Sequence, residues 1–456
     1  PSDEISGLVS GPVMCDNMAM DAFVIEGGHR LRGEVRINGS KNAALPLMAA
    51  ALLTDQPVTL RDVPNLSDIR NLRRLLAALG CEGEIDEANG RRALTLEVTD
   101  TEPCLAHYDI VRTMRASICV LGPLLARRGE AKVSMPGGCN IGDRPVDLHL
   151  RGLRAMGAEI ELDAGYIVAR APAGGRLKGT RIFLGGPFGS TVLGTANVMS
   201  AATLAEGTTI IESAACEPEI ADLARLLTSM GAKIRGAGSP RIEIDGVSEL
   251  GGTDHRVLAD RIEAGTYILA SAMTNGDVTL ENTPVDCLGS LLDRLEGVGV
   301  QVEAVNGEDD PLRQTVRVVS DRRLKPVQIT TQPYPGFPTD LQAQMMTLLC
   351  MADGNSIITE KIFPDRFLHV AELLRMGANL VRNGPNVMVM GVKELVGAPV
   401  MASDLRASAG LVMAGLAASG TTTVNRVYHL DRGYESMETR LASLGAKIKR
   451  TDEEAA

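Results

Sequence analysis

A short pattern recurs six times along the chain: a helix ends in a hydrophobic residue, a glycine follows, and a short strand begins. The six glycines are 68 to 78 residues apart. Glycine tolerates the left-handed backbone at which many helices end, so each one predicts a helix stop before a strand. Six copies of one unit constrain the fold more than any other feature. The pairs are Leu79-Gly80, Met156-Gly157, Met230-Gly231, Val298-Gly299, Met376-Gly377 and Leu444-Gly445.

Each unit has the same order of elements. A first helix rich in Ala, Leu and Met leads through a Gly-containing turn into a β-branched strand, and a loop and an amphipathic second helix follow. The first helices are apolar all round, which predicts that they are buried. The elements are predicted at 191–205, 208–212 and 219–230 in the third unit, and at 405–418, 421–427 and 434–444 in the sixth.

Three such units would bury three apolar helices in one core, so six units predict two globular domains. We place the seam near Gly246 to His255, a Gly-rich polar stretch between the third and fourth units. A solenoid of helix pairs is the alternative architecture. Solenoid repeats are usually about 20–50 residues long, so these longer units favour two globular domains.

The composition excludes several classes of protein. With 456 residues, 45% of them apolar, the chain can bury a large core, although it has no tryptophan. Its net charge of −11 and the lack of basic runs with interleaved aromatics argue against nucleic-acid binding. The longest apolar run, Ala43 to Leu53, is too short to cross a bilayer, so no membrane partner is predicted. Residues 1–19 lack periodicity and predict a disordered leader, with Met20 a plausible start.

Cysteine and histidine spacing predicts no metal site. The eight cysteines and six histidines are scattered, without C-x-x-C or H-x-x-x-H pairs. No secretory signal is apparent, so we expect a cytoplasmic enzyme with reduced thiols. The cysteines are at positions 15, 81, 104, 119, 139, 216, 287 and 350.

One cysteine has distinctive neighbours. Cys139 lies between Gly137-Gly138 and Gly142, with Arg144 five residues on and Pro145 after it. Glycines let a ligand approach the backbone closely, and a nearby guanidinium favours the thiolate. A glycine-rich turn around an incidental small hydrophobe is the alternative. The arginine and the PGG sequence favour a reactive thiol.

Polar residues recur at two equivalent places in the units: the N-terminus of the first helix and the loop before the second. Cations at helix N-termini add to the positive end of the dipole, which suits an oxyanion site better than helix stability. A solvated surface charge is the alternative for any one of them. The first place holds Lys41-Asn42, Arg115, Asp260-Arg261, Asp340 and Asp404-Arg406, and the second Cys139 with Arg144, Asp365-Arg366 and Asp431-Arg432.

We expect five of these cations to converge on one cleft. Such a cluster suits a substrate with several phosphates or carboxylates, because guanidinium groups bind both in bidentate fashion. The five are Lys41, Arg115, Arg144, Arg406 and Arg432.

Asp340 is the one acidic residue at the start of a first helix without a cation beside it in sequence. Its carboxylate can serve as a general base toward a hydroxyl. An ordinary N-cap or first-turn acid is the alternative. We expect Asp147 and His149, near Cys139, to belong to a structural hydrogen-bond network rather than to act as catalytic groups.

Six motifs together resemble those of the enolpyruvyl transferases of peptidoglycan synthesis, over about residues 22–450. The set is specific, because the shikimate-pathway enolpyruvyl transferase, the nearest relative in fold, lacks the cysteine loop. The motifs are GSKNAALP (39–46), TMRASI (113–118), PGGCNIGDRPVDLH (136–149), FPTDLQAQ (337–344), DLRASAG (404–410) and HLDRGYE (429–435).

The resemblance implies an α/β (α+β) fold: a two-domain inside-out α/β barrel with six helix-strand-helix-strand repeats, three per domain. It also implies that the N-terminal strands, up to about residue 40, join the C-terminal half. The predicted domains are therefore 20–40 with 255–456, and 41–254, which carries the cysteine loop.

The activity implied is transfer of the enolpyruvyl group of phosphoenolpyruvate to the 3-hydroxyl of UDP-N-acetylglucosamine, with release of phosphate and no metal or organic cofactor. Such a transferase performs the first committed step of peptidoglycan synthesis. It would link the protein to cell wall biogenesis, cell shape, the cell cycle and cell division. It would also make the protein a target of fosfomycin, a small epoxide phosphonate.

The resemblance also implies roles for the phosphoenolpyruvate contacts. Lys41 and Asn42 would meet phosphoenolpyruvate. Arg144 and Arg432 would hold its phosphate and carboxylate, with Arg406 nearby.

The remaining roles concern proton transfer and the sugar nucleotide. Cys139 would protonate the methylene carbon and form a covalent adduct, and Asp340 would take the proton of the attacking hydroxyl. The implied catalytic set is Cys139, Asp340, Lys41 and Arg432. The implied sugar-nucleotide contacts are Arg115, Arg144, Pro145, Val146, Asp147, Leu148, Asp340 and Ile362, with Ser190, Thr191 and Val192 as weaker matches.

Some points stay open from the sequence. A lowered thiol pKa favours attack by Cys139, whereas proton donation needs the thiol form. Residues 185–195 read GGPFGSTVLGT where many members of the family have SVGAT, so contacts to the uridine are undecided. Enolpyruvyl transfer to another hydroxyl, such as that of shikimate 3-phosphate, and a non-enzymatic anion-binding repeat protein are the alternatives.

Overall fold

The computed structural model describes residues 21–88, 90–136, 146–305, 310–320 and 323–452. All six glycines of the repeat have positive φ, from 73° at Gly80 to 109° at Gly231. The predicted helix stops are therefore confirmed. Each glycine is followed by an outer strand of its unit.

The first helices of the units are buried, as predicted. Every residue of the helices at Arg261–Met273 and Gln342–Leu349 is buried. In the second unit a 3₁₀ segment, Arg115–Val120, precedes a shorter helix. The helices are α1 (Lys41–Ala50), α2 (Ser67–Ala78), α3 (Tyr108–Val111), α4 (Leu121–Arg128), α5 (Asp147–Ala155), α6 (Val192–Thr203), α7 (Pro218–Ser229), α8 (Arg261–Met273), α9 (Gly289–Val298), α10 (Gln342–Leu349), α11 (Leu368–Arg375), α12 (Leu405–Ala417) and α13 (Met437–Ser443), with further 3₁₀ turns at Ala51–Leu53, Val285–Cys287, Thr339–Leu341 and Val427–Arg432.

The strands are short and form one four-stranded sheet per unit, plus one two-stranded hairpin. They are β1 (Asp21–Glu26), β2 (Arg32–Arg36), β3 (Val58–Arg61), β4 (Cys81–Ala88), β5 (Arg91–Val98), β6 (Leu105–Ala106), β7 (Glu130–Ser134), β8 (Glu159–Asp163), β9 (Tyr166–Arg170), β10 (Arg181–Phe183), β11 (Gly185–Gly186), β12 (Gly189–Ser190), β13 (Thr208–Glu212), β14 (Lys233–Arg235), β15 (Arg241–Asp245), β16 (Thr253–Arg256), β17 (Asp277–Thr283), β18 (Gln301–Ala304), β19 (Gln314–Val319), β20 (Gln328–Thr330), β21 (Asn355–Thr359), β22 (Asn379–Asn383), β23 (Asn386–Met390), β24 (Pro399–Met401), β25 (Thr421–Asn425) and β26 (Lys447–Asp452).

All six sheets have the same topology, with one parallel pair followed by two antiparallel pairs. The inner face of each sheet covers the buried helices, and the outer face is turned to solvent. Helices inside and sheets outside are the reverse of an ordinary α/β barrel, so the predicted inside-out α/β arrangement is confirmed. In order across each sheet, the strands are β16-β3-β5-β4, β6-β7-β9-β8, β10-β13-β15-β14, β2-β17-β19-β18, β20-β21-β23-β22 and β24-β25-β1-β26.

Two separate hydrophobic cores are present. The first contains buried residues from Ala43 to Leu258, together with Cys287. The second contains buried residues at 23–37 and 259–446. The N-terminal strands lie with the second core, because β1 pairs with β25 and β26, and β2 pairs with β17.

We propose that each core belongs to one domain. The predicted domain boundary at 254/255 falls inside β16, which pairs with β3 of the first core. We therefore place the point where the chain passes from the first core to the second between Leu258 and Ala259. The chain also passes from the second core to the first between residues 37 and 43. This segment lies beside Leu258 and Asp260, since Ser40 N donates to Leu258 O at 2.7 Å and Asp260 N to Asn38 O at 2.8 Å. Over the described ranges, no helix has the length and apolar character needed to span a membrane.

Candidate active site

Lys41 and Arg432 meet on one carboxylate. Lys41 is the first residue of α1 and is 7% exposed. Its Nζ donates to Asp68 Oδ2 at 3.0 Å, and Arg432 Nε donates to Asp68 Oδ1 at 3.2 Å. Lys41 and Asp68 belong to the first half of the chain, whereas Arg432 follows β25 of the second core. Two of the five predicted cations therefore come together where the two cores meet.

Asp68 stays ionised between these cations. Burial acts to raise the pKa of the Asp68 carboxyl, but Lys41 and Arg432 outweigh burial, so the pKa lies below its ordinary value. Asp68 did not stand out in the sequence, because an acid in the first turn of α2 has an ordinary explanation as a helix-dipole partner. The one feature of the sequence that could have indicated Asp68 is its position near the start of the second helix, where other units carry Asp365 and Asp431.

Asp340 lies in the 3₁₀ turn before α10 and contacts two arginines. Arg366 Nη1 donates to its Oδ1 at 2.8 Å, and Arg406 Nη2 donates to its Oδ2 at 3.0 Å. Asp340 has no cation beside it in sequence, but two arginines from distant parts of the chain lie beside it in space. Burial acts to raise the pKa of Asp340, but Arg406 and then Arg366 hold that pKa well below its usual range.

Arg406 is fixed from several sides. It is the second residue of α12, where the Asp404 carboxylate accepts from its backbone N at 2.9 Å. The side chain is 3% exposed, and Nη1 donates to Tyr434 Oη at 3.3 Å. Tyr434 Oη is in turn 2.8 Å from Thr266 Oγ1 and accepts from Gln344 Nε2 at 3.2 Å. This network holds the guanidinium against Asp340.

Arg261, another cation at the start of a first helix, is also paired. Its Nε donates to Glu219 Oε1 at 3.0 Å and its Nη2 to Glu219 Oε2 at 3.3 Å. Glu219 lies in α7 of the first core, so this bidentate pair is a second polar link between the cores. The neighbouring Asp260 caps α8 and accepts from the backbone N of Ile262 at 2.8 Å. Asp260 and Asp404 are therefore helix caps.

The segment of Ile362 is held by a buried glutamate, Glu360, that no sequence motif indicated. Glu360 Oε1 accepts from Ile362 N at 2.8 Å and from Thr331 Oγ1 at 2.7 Å. Its Oε2 accepts from Thr339 Oγ1 at 3.0 Å. Because Thr339 adjoins Asp340, Glu360 ties the Ile362 loop to the Asp340 cluster.

The remaining predicted substrate contacts lie at the starts of buried helices or next to them. Arg115 is half-buried at the start of its 3₁₀ segment, and Asn42 is half-buried in α1. Ser190 ends β12, and Thr191 caps α6 by accepting from Gly194 N at 3.2 Å, just before half-buried Val192.

The residues after the cysteine loop lead into α5. Val146 is buried, Asp147 exposed and Leu148 half-buried. His149 Nδ1 lies 2.8 Å from Asn197 Nδ2, which supports the structural network expected for His149. Cys139, Arg144 and Pro145 lie outside the described residues.

The described cysteines are all unpaired thiols. Burial raises the pKa of four of them, Cys81, Cys119, Cys287 and Cys350, to about 12. Burial also raises the pKa of Cys104 and Cys216. Their thiolate fraction at neutral pH is therefore small. Over the described ranges, no group of three or more His, Cys, Asp or Glu side chains could hold a metal ion.

Comparison with known proteins defines the class first. The family model of EPSP synthase (3-phosphoshikimate 1-carboxyvinyltransferase) matches residues 25–441. The enolpyruvyl transferase NikO from Streptomyces tendae superposes with a TM-score of 0.84 at 25% identity, covering 95% of this chain and 99% of NikO. EPSP synthase from Acinetobacter baumannii gives a TM-score of 0.73 at 17% identity, over 95% and 100% of the two chains, which shows the shared fold. The chain therefore belongs to the class of enolpyruvyl transferases.

Sequence relatives narrow the class. The UDP-N-acetylglucosamine 1-carboxyvinyltransferase of Anaeromyxobacter sp. (strain Fw109-5) is 53% identical over 94% of this chain and 99% of the relative. The protein of the same name from Methylacidiphilum infernorum (isolate V4) is 51% identical over the same shares. The chain therefore belongs to the UDP-N-acetylglucosamine 1-carboxyvinyltransferase family within the enolpyruvyl transferases. The resemblance carried by the six motifs is confirmed.

Proposed function

We propose that the protein transfers the enolpyruvyl group of phosphoenolpyruvate to the 3-hydroxyl of UDP-N-acetylglucosamine and releases phosphate, in the cytoplasm, as the first committed step of peptidoglycan synthesis. The observation that carries the proposal is the meeting of Lys41 and Arg432, from the two halves of the chain, on Asp68. The names of relatives about half identical to the chain supply the substrates.

Lys41 and Arg432 form the phosphoenolpyruvate site in this proposal, together with Asn42 and Arg144. An ammonium and a guanidinium group 3.0 and 3.2 Å from one carboxylate are already arranged to hold an anionic group. Asp68 accepts from both and keeps the buried Lys41 and the half-buried Arg432 paired. Asp68 is a positioning residue in this account.

Asp340 is the base that takes the proton of the 3-hydroxyl. The two arginines that hold its pKa low also make it a weak proton acceptor. An anionic substrate that engages Arg406 would withdraw positive charge from Asp340 and raise its pKa toward a useful range. The base would then act only when the anionic substrate is bound.

Cys139 is the general acid toward the methylene carbon and the site of covalent adducts, a role that rests on the sequence motif. The sugar nucleotide contacts in the proposal are the set given by the motifs. Among them, Ile362 has support from its fixed position beside the Asp340 cluster through Glu360 and Thr339. No step of the proposal uses a metal or an organic cofactor.

Phosphate release tests the proposal. The protein is incubated with phosphoenolpyruvate alone, with UDP-N-acetylglucosamine added, and with shikimate 3-phosphate added instead. We expect phosphate only with the UDP-sugar. Release with shikimate 3-phosphate would favour the activity named by the family model, and no release with either acceptor would favour a non-enzymatic anion-binding protein.

Removal of a phosphoenolpyruvate cation should weaken binding of that substrate selectively. Arg432→Ala is expected to raise KM for phosphoenolpyruvate by roughly 10- to 150-fold, since a hydrogen bond to a charged group contributes about 1.5–3 kcal/mol. Arg144→Ala should behave similarly. KM for both substrates is measured by phosphate release.

Arg375→Ala is the matched control for these variants. Its side chain is 61% exposed and pairs at the helix surface with Glu372 at 3.4 Å, so it should leave KM unchanged. Arg450 is unsuitable as a surface control, because it pairs with Asp431, Asp21 and Glu438. Equal KM values for the arginine variants and the control would contradict the cation site.

A small epoxide phosphonate should alkylate Cys139 and no other cysteine. The phosphonate would bind the cations and bring the epoxide to the thiol, which raises its effective concentration. The six described cysteines have raised pKa values and should stay unmodified. Peptide mass mapping, with and without UDP-N-acetylglucosamine, measures the labelling, which the nucleotide should accelerate. Modification of another cysteine in place of Cys139 would refute this role.

A further inference from the structure

The outer faces of the six sheets are comparable residue by residue. Because all six sheets have the same topology, one row of four outward residues crosses the middle of each sheet at equivalent positions. Five of the six rows contain at least one charged side chain. In order across the sheets, these rows are Asp254-Thr59-Thr95-Glu84, Leu105-Lys132-Val168-Glu161, Arg181-Ile210-Glu243-Arg235, Glu34-Thr279-Arg317-Glu303 and Pro399-Thr423-Val24-Lys449.

The fifth unit departs from this pattern. Its middle row reads Gln328, Ile357, Met388 and Val381 in direct register. The last three side chains are 37%, 43% and 54% exposed, so they form an unbroken apolar strip in water. Among the central rows of the six sheets, this is the one that holds three adjacent exposed large apolar side chains and no charge.

The rows on either side of this strip are also uncharged. One row is Asn355, Met390 and Asn379, and the other is Thr359, Asn386 and Asn383. Nine outward side chains on three strands therefore carry no charge, and amides flank the apolar centre. We name these nine residues the unit-five face.

The outward residues of the edge strand of the same sheet are also uncharged, and the one charged residue of that strand, Arg382, alternates with them and pairs with Asp365 at 2.8 Å. Among the described strands, β22 pairs only with β23, and its outward residues Asn379, Val381 and Asn383 are exposed. Charged side chains on an edge strand prevent pairing with other chains, and at the outward positions the corresponding edge strands of the other five sheets all carry them. Those outward edge residues are Glu82, Glu84 and Asp86 in β4, Glu159, Glu161 and Asp163 in β8, Lys233 and Arg235 in β14, Gln301 and Glu303 in β18, and Lys447 and Lys449 in β26.

We propose that the unit-five face binds the same face of a second copy of this chain. The net charge of −11 makes most encounters between two copies repulsive. Contact through a face without charge avoids that cost. Asparagine amides both donate and accept hydrogen bonds, so a rim of asparagines is complementary to itself, as a two-fold interface requires.

The size of the face predicts a weak dimer. Three strands of five residues cover about 14 by 17 Å at the usual strand spacing and rise. This is far less than the roughly 800 Å² per partner of a stable interface. The two copies should therefore exchange between monomer and dimer with protein concentration, and the dimer should grow only at high concentration.

Sedimentation velocity of the full chain, from about 5 to about 500 µM, measures this equilibrium. We expect the weight-average sedimentation coefficient of the parent to rise with concentration toward that of a dimer. Val381→Lys places two like charges close to the two-fold axis and should raise the dissociation constant at least about tenfold. Met388→Lys should do the same. Both side chains are exposed, so folding should be retained, and far-UV circular dichroism checks this.

Gln301→Lys is the control with the same change in charge. Gln301 is an exposed outward residue of the edge strand β18 in the fourth unit. It should leave the concentration dependence of the parent unchanged. A parent that stays monomeric over the whole range overturns the proposal. A dimer that survives Val381→Lys and Met388→Lys also overturns it, because the contact would then lie elsewhere.

Discussion

Asp340→Asn is expected to lower kcat by ~10²–10⁴, the usual loss when a positioned base is removed. KM for both substrates should change much less, because asparagine keeps one oxygen that can accept from Arg366 or Arg406. Phosphate release at saturating concentrations of phosphoenolpyruvate and UDP-N-acetylglucosamine measures kcat. The loss should persist at higher pH, since an amide cannot accept the proton of the 3-hydroxyl at any pH.

The matched control for this substitution is Asp365→Asn. Asp365 also lies in the fifth unit and pairs with an arginine, Arg382, at 2.8 Å, but its side chain is 86% exposed. It should retain the parent kcat. Since two buried guanidinium groups lose a charged partner in Asp340→Asn, thermal unfolding must show that the variant is folded at the assay temperature. A folded variant with the parent kcat would exclude Asp340 from the mechanism.

The repeat made the fold accessible from sequence. A glycine with positive φ after each second helix is a local requirement, and the sequence displays it six times. The buried first helices were equally visible, because an all-round apolar helix has no other place in a globular protein. The pairing of β1 with β25 and β26 has no local signal, and it was predicted only through the resemblance.

The candidate site could be predicted only in part from the sequence, because the cations were easier to recognise than the acids that pair with them. Lys41, Arg406 and Arg432 stood out because cations at those places are not explained by helix stability. Asp68 and Glu219 are acids in the first turns of α2 and α7, where the helix dipole explains an acid equally well. Their partners Arg432 and Arg261 are 364 and 42 residues away in sequence. Only the three-dimensional structure reveals such pairs.

The unit-five face was also not visible in the sequence. Asn379, Val381 and Asn383 alternate as any strand with one outward face would, and nothing in β22 alone marks it as exceptional. The departure appears only when register relates Val381 to Met388 and Met388 to Ile357. The comparison with five equivalent sheets then shows which outward positions normally carry charge.

Asp68→Ala is expected to lower the melting temperature by on the order of 10 °C, because loss of one partner from a buried ion pair costs about 3–5 kcal/mol. Lys41 and Arg432 would keep their charges without the carboxylate that both contact. An added anion can replace that carboxylate. Inorganic phosphate and phosphoenolpyruvate should therefore raise the melting temperature of the variant more than that of the parent, as measured by differential scanning fluorimetry across a range of anion concentrations.

The pH dependence of this difference is an independent check. Because the pKa of Asp68 is lower in the folded than in the unfolded state, where it is about 3.9, its stabilising contribution is fully present above that pH. The contribution is lost as the pH falls through the lower folded pKa. The gap between parent and variant should therefore be constant at neutral pH and shrink in acid. Asp245→Ala is the control, since Asp245 pairs with Arg235 on the exposed surface and its loss should produce neither a large shift nor a selective response to anions. If anions stabilise the Asp68 variant no more than the parent, Lys41 and Arg432 do not form an anion site, and the proposed phosphoenolpyruvate contacts at these two residues are wrong.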